Sequence, residues 1–179
     1  MSYYERDLPH WQPQGAGLFL TWRLHDSLPK EYFDQHTIPG AGREFVRQDR
    51  VLDKAEHGPV WLKDPRVAES VAAALQFGET NLKLYELQAW VIMSNHVHLM
   101  IGPKASLARI NRSIRGYTAH QANRILGRTR PFWQHESYDH WSRNAQETER
   151  IIAYIEGNPV TAGLVNNASD YRWSSAFVA

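Results

Sequence analysis

The chain has no cysteine in its 179 residues, so a disulfide framework, a thiolate zinc site and a cysteine nucleophile are all excluded. Any metal must be held by histidine, carboxylate, amide or water. No apolar run approaches the roughly 20 residues that span a bilayer, and no membrane partner is expected. Residues 1–11 mix Glu5, Arg6, Asp7 and His10 and contain no apolar stretch, so neither a secretory leader nor an anchor is expected there, which points to the cytoplasm. What is present is an ordinary globular composition, 42% hydrophobic and 22% charged. At this length one domain over 1–179 is expected, with its chemistry inside a single fold.

Low net charge is also a kind of absence, because the overall +1 hides an uneven distribution. Residues 104–150 carry nine Lys/Arg against four acids, a local +5, while everything else sums to −4. Tyr117, Phe132, Trp133, Tyr138 and Trp141 are interleaved with those cations. Phosphate-neutralising charge beside flat stacking surfaces is what a single nucleic-acid strand requires of its binder. On charge alone, a solvated helix face reads equally well.

Leu18, Leu20, Trp22 and Leu24 alternate with Phe19, Thr21 and Arg23, which predicts a first strand. Pro29, Pro39, Gly40, Gly42, Gly58 and Pro59 punctuate 26–63, which reads as a long irregular connection with one short helix near 30–35. Asp64 followed by Pro65 is a helix-start signal, and the helix is expected to reach about Phe77 before Gly78 stops it. Residues 84–92 and 97–101 read as two strands joined by Met93-Ser94-Asn95. Ser106 opens a second long helix ending near Gly127, 137–141 supplies a short fourth strand, and a last helix over 145–157 is closed by Asn158-Pro159. A tail follows over about 166–179. The first six elements predict an α+β fold, a ferredoxin-like four-stranded antiparallel sheet with helices on one face, and an additional C-terminal helix carries Tyr154.

His96-Val97-His98 begins a strand, so both imidazoles are expected to face out, about 7 Å apart, while Val97, Leu99 and Ile101 face the helices. Two imidazoles so placed can converge on one divalent ion; two polar residues on a half-exposed strand would give the same pattern. Tyr154 and Asn158 are four residues apart and share a helix face. A tyrosine with a pKa near 10 attacks only when a cation or base assists loss of its proton. Taken alone, Tyr154 reads as a core residue between Ile151 and Ile155, and Asn158 as a helix terminator.

Four motifs in order carry a resemblance. They are Trp90 to Leu99 (WVIMSNHVHL), Pro131-Phe132-Trp133-Gln134 with Tyr138-Asp139 after it, Tyr154 to Val165 (YIEGNPVTAGLV), and Trp173-Ser174-Ser175. Together they resemble the REP-associated tyrosine transposases, members of the single-tyrosine HUH transposases, over about residues 17–176. The resemblance implies that His96 and His98 are metal ligands, Asn158 a third ligand, and Tyr154 the nucleophile that becomes linked to DNA as a 5′-phosphotyrosine, leaving a free 3′-hydroxyl. It implies Mg2+ or Mn2+ as cofactor and single-stranded DNA hairpins, REP-like palindromes, as partner, in a bacterial, nucleoid-associated protein. Ser94 stands where proline is usual and Arg130 where glycine is usual; neither is a proposed ligand. By position, Arg112, Arg115, Arg128, Arg130 and Trp133 are expected to contact DNA. A domesticated, non-catalytic hairpin-binding protein is the alternative, and the sequence does not choose between monomer and homodimer.

Overall fold

The computed structural model describes residues 17–29, 41–135 and 137–178, the backbone alone for 41–44. Its elements are β1 (Leu18–Arg23), α1 (Ala41–Lys54), a 3-10 turn (Trp61–Lys63), α2 (Pro65–Thr80), β2 (Tyr85–Ile92), β3 (His96–Pro103), α3 (Leu107–Ile125), β4 (Tyr138–Trp141), α4 (Ala145–Thr161) and a 3-10 turn (Ala168–Asp170). The four strands form one antiparallel sheet in the order β2-β3-β1-β4. That order, with α2 between β1 and β2 and α3 between β3 and β4, is the expected ferredoxin-like arrangement.

The strand period of two divides the core between the two sheet faces. Leu18, Leu20, Trp22 and Leu24 join Val97, Leu99 and Ile101 in a cluster that packs on Val67, Val71 and Leu75 of α2 and Ile110 and Ile114 of α3. Phe19, Val91 and Met100 point the other way and meet Phe45 of α1 and Ile155 of α4. Every residue of β1 is buried, because helices cover both faces of this central strand. Each large side chain so enclosed contributes about 1.5–3 kcal/mol.

Helix boundaries follow local chemistry, with three departures from expectation. Asp64 caps α2 by accepting from Arg66 N–H at 3.0 Å, with Pro65 in the first turn, and Ser106 caps α3 by accepting from Arg109 N–H at 3.3 Å. Gly78 does not stop α2, which continues to Thr80. It serves a close approach: a Cβ there would lie 2.3 Å from the hydroxyl oxygen of Tyr85, which donates to Leu75 C=O from the neighbouring strand. Likewise α4 runs on through Asn158-Pro159 to Thr161, because proline removes one amide near the helix end while Ala162 N–H still donates to Asn158 C=O at 2.9 Å.

The third departure bears most on function. The stretch 26–63, read as an irregular connection, contains the fourteen-residue helix α1. Its buried positions Phe45, Asp49 and Leu52 follow helical spacing, but the middle one is a carboxylate, which erased the apolar stripe from the sequence. The short helix expected near 30–35 lies outside the described residues. Finally, the C-terminal segment pairs with the edge strand β2: Ile92 N–H donates to Trp173 C=O at 2.8 Å, and Ser175 N–H to Trp90 C=O at 2.9 Å. The Ser175 hydroxyl donates to Glu156 of α4 at 3.0 Å, tying α4 to the sheet edge.

Candidate functional site

His96 and His98 open β3 and do project to the face opposite Val97 and Leu99, as strand alternation requires. They do not face solvent. Both are 0% exposed, roofed by α1 and α4, and their rings lie 4.6 Å apart between centroids, closer than strand spacing alone suggests. His98 Nδ1 lies 2.8 Å from the Thr21 hydroxyl of β1.

His96 is held in one tautomer by a chain of hydrogen bonds. Asn95 donates through Nδ2 to Leu52 C=O at 3.0 Å, so its carbonyl oxygen faces His96 Nδ1 at 2.8 Å. An amide oxygen only accepts, so His96 Nδ1 carries the hydrogen and Nε2 presents a lone pair. Burial, reinforced by neighbouring His98, pushes the His96 pKa down to about 3 despite the opposing pull of Asp49. The imidazole is therefore neutral at physiological pH, the form that binds metal.

That lone pair points at oxygen atoms. Asp49 Oδ1 and Asp53 Oδ1, one helical turn apart on α1, each lie 3.7 Å from His96 Nε2, and Asp49 Oδ1 is 3.1 Å from His98 Nε2. Burial pushes Asp49 up, but His98, His96 and Asn158 outweigh it and hold the carboxyl below its ordinary value. Asp53, raised by burial and by Asp49, sits at about 7. Asp49 Oδ1, Asp53 Oδ1, both Nε2 atoms and Asn158 Oδ1 are buried without a conventional hydrogen bond. Acceptor-capable atoms gathered inside a protein without partners are the kind of set that a cation can satisfy, and Asp49, His96 and His98 form a group that could hold one. The ligand atoms of Asp49, His96 and His98 all fall within 4.8 Å of one another, near twice an ordinary metal–ligand distance of about 2.1 Å.

Tyr154 and Asn158 approach from α4. The Tyr154 hydroxyl donates to Asp49 Oδ2, and Asn158 Nδ2 lies 3.5 Å from the same oxygen. The tyrosine ring is 5.8 Å from that of His98 and also meets Phe19 and Phe45 edge-on. Tyr154 remains 38% exposed while Asn158 is buried, so the phenol is reachable from outside whereas the amide belongs to the interior cluster. All four residues read from sequence thus meet in one place. Asp49 and Asp53 were missed; their signal, two aspartates one helical turn apart, lay in a segment with no visible period.

The five residues expected at DNA are dispersed. Trp133 is buried, packs on Trp22 and Phe132, and donates through Nε1 to Thr118 at 3.0 Å; its ring belongs to the core. Arg115, half buried, donates to the carbonyls of Gln134 and His135, fixing the segment before β4. The Arg128 guanidinium lies 3.4 Å above the Trp61 ring. Arg112 and Arg130 are exposed. Arg112 and Arg115 sit on α3, against the sheet face opposite the histidines.

The site is thus a buried His-Asp-His cluster on one face of a ferredoxin-like sheet, beneath the helix that carries Tyr154. The chain belongs to the IS200-like transposase family, whose model matches residues 62–158, more than half of its length. Among solved structures, it is similar to a REP-associated tyrosine transposase bound to a REP hairpin, with a TM-score of 0.54 and 19% identity over 98% of this chain and 82% of that one. That likeness shows a shared fold. A transposase from Deinococcus radiodurans R1, itself described as putative, aligns at TM-score 0.36 and 16% identity over 88% of this chain and 98% of that one. No curated protein matches in sequence. Among the described residues, no helix is long and apolar enough to cross a membrane.

Proposed function

We propose that this protein cleaves and rejoins single-stranded DNA at REP-like hairpins through a covalent tyrosine link, as one domain acting in the bacterial nucleoid. The observation that carries this reading is the approach of Tyr154 to the histidine pair, 5.8 Å ring to ring from His98, on a helix and a strand of a single chain. His96, His98 and Asn158 would hold Mg2+ or Mn2+. When bound, such an ion supplies Lewis acidity at a non-bridging phosphate oxygen.

The protein's own groups do the rest. Tyr154 Oη forms the new bond to phosphorus as the bond to the 3′-oxygen breaks; the phenol proton is lost, and the departing 3′-oxygen ends protonated. The 5′-phosphotyrosine keeps the ester bond energy, so a later 3′-hydroxyl reverses the step without ATP. Partial exposure of Tyr154 admits a strand, and the buried ring contacts with Phe19 and Phe45 limit its swing. Exposed Arg112 and Arg130, with Arg115, Arg128 and the segment around Trp133, are the groups proposed to meet the hairpin or its flanks.

The test is incubation with Mn2+ and labelled single-stranded hairpins, resolved on denaturing gels. Wild-type protein forms an adduct and Tyr154→Phe forms none, while the variant keeps hairpin affinity and loses about 1–3 kcal/mol of stability, because buried Asp49 Oδ2 is left without its phenol donor. Cleavage that survives Tyr154→Phe would instead indicate a water nucleophile, and hairpin binding without any cleavage a domesticated binder.

A further inference from the structure

We propose that Asp49 is both a metal ligand and the positioning residue of the nucleophile, its Oδ1 completing the His96/His98 cluster and its Oδ2 holding the Tyr154 hydroxyl. This assignment rests on the tyrosine–metal reading above and adds a residue from α1, outside the stretch 62–158 that the family model matches.

The argument begins with cost. Asp49 is only 2% exposed, and an ionised carboxylate in that environment loses several kcal/mol of solvation unless its oxygens are satisfied. Oδ2 is satisfied by the Tyr154 hydroxyl and by the more distant Asn158 amide. Oδ1 faces His98 Nε2 at 3.1 Å and His96 Nε2 at 3.7 Å. His96 cannot donate from that atom, since its single hydrogen is committed to Asn95. A lone pair therefore looks at one carboxylate oxygen, with Asp53 Oδ1 a further 3.7 Å neighbour. A cation between His96 Nε2 and Asp49 Oδ1 would satisfy both acceptors at once, and His98 Nε2, whose Nδ1 lies beside the Thr21 hydroxyl, can join them as a third ligand in the tautomer that leaves Nε2 unprotonated.

The two oxygens face different clients, which separates Asp49 from an ordinary ligand. An ion drawn to Oδ1 anchors the carboxylate, and the anchored carboxylate then fixes where Oδ2 holds the phenol. Metal occupancy and nucleophile position become linked through one rigid group. Histidine ligands held by Thr21 and Asn95 make the anchor stiff. The tyrosine so held belongs to the same chain as the cluster.

Two readouts test this, Mn2+ binding by calorimetry and paramagnetic resonance, and the Cζ chemical shift of Tyr154 in protein labelled at tyrosine. Asp49→Asn is the decisive variant, because asparagine keeps the shape and can still accept from the phenol, and Asp49→Ala is its companion. Expected are one Mn2+ per wild-type chain, affinity lowered about tenfold or more in both variants, and a Tyr154 Cζ shift that moves on addition of diamagnetic Mg2+ in wild type but not in Asp49→Asn. Wild-type protein that takes up no Mn2+, or Asp49→Asn that binds it as tightly with the same tyrosine response, overturns the proposal. Adduct formation is scored separately on the same samples. Absence of an adduct in wild type with Mn2+ uptake dependent on Asp49 would sink the tyrosine reaction and leave the ligand assignment standing. A wild-type adduct with Asp49-independent Mn2+ uptake does the reverse.

Discussion

Replacing Asp53 by Asn should expose a pH dependence of stability that the wild-type protein conceals. Asp53, pushed up to about 7 by burial and by Asp49, stays protonated in the folded state where the unfolded chain, at the ordinary 3.8, releases its proton. Its contribution to stability therefore falls as pH rises from about 4 to 7. His96 does the opposite. Held down to about 3 by burial and His98, it refuses in the folded state a proton that the unfolded chain binds below 6.5, so its contribution rises with pH over about 3 to 6.5. In the overlap the two slopes, each about 1.4 kcal/mol per pH unit, cancel. The folded protein keeps on a carboxyl the proton that the unfolded chain keeps on an imidazole. Asp53→Asn mimics the protonated carboxyl and removes one slope, leaving His96 alone. The variant should lose about 2 kcal/mol between pH 6.5 and pH 5, or about 4–8 °C in Tm for a chain of this size, while wild type changes much less. Urea unfolding with chelator present, followed by circular dichroism at several pH values in that window, measures the difference. Equal losses in the two proteins would refute the cancellation.

Two further substitutions test the packing that positions the site. Gly78→Ala would put a methyl group 2.3 Å from Tyr85 Oη and 2.8 Å from Ile114 Cδ1, both buried, and should cost about 1–3 kcal/mol as a lowered urea midpoint with an unchanged slope; a change below about 0.5 kcal/mol would mean that α2 shifts freely. Trp133→Phe removes the donor to Thr118 and should cost about 1–3 kcal/mol in the same assay, with hairpin affinity unaltered if the ring acts only in the core. Loss of affinity without loss of stability would return Trp133 to the DNA surface.

Elements with a clean period were legible before any coordinates. The alternation from Leu18, the Asp64-Pro65 start, the cap at Ser106 and the two halves of the hairpin around Asn95 each record a local rule, and each reappears within a few residues of expectation. Two- and four-residue spacings likewise showed that the histidine pair shares one face and Tyr154 and Asn158 another, but only the resemblance singled these residues out, since spacing alone read Tyr154 as core and Asn158 as a helix terminator. Gly78 and Pro159 misled because glycine and proline signal stops only when no tertiary contact claims them; here Tyr85 needs the space beside Gly78, and α4 absorbs one missing amide. Helix α1 was illegible because its inward stripe, Phe45-Asp49-Leu52, contains a charge that no hydrophobic pattern would place inside.

The sequence by itself determined the order of the sheet's strands and the two helices between them, the ferredoxin-like sheet, and which side chains share a face at His96/His98 and Tyr154/Asn158, since all of these follow from short-range spacing. Only the tertiary structure decided that the histidines are buried rather than open, that Trp133 belongs to the core, and that Asp49 and Asp53 lie against the histidines. The first and last of these depend on α1 crossing residues more than forty positions downstream, as in the bond from Asn95 to Leu52 C=O and the contact of Asp49 with His98, and Trp133 depends on Trp22 and Thr118 reaching it from β1 and α3. Such long-range placement is set by what the whole core can enclose, and a carboxylate tolerated there declares its partners only when the chain has folded around it.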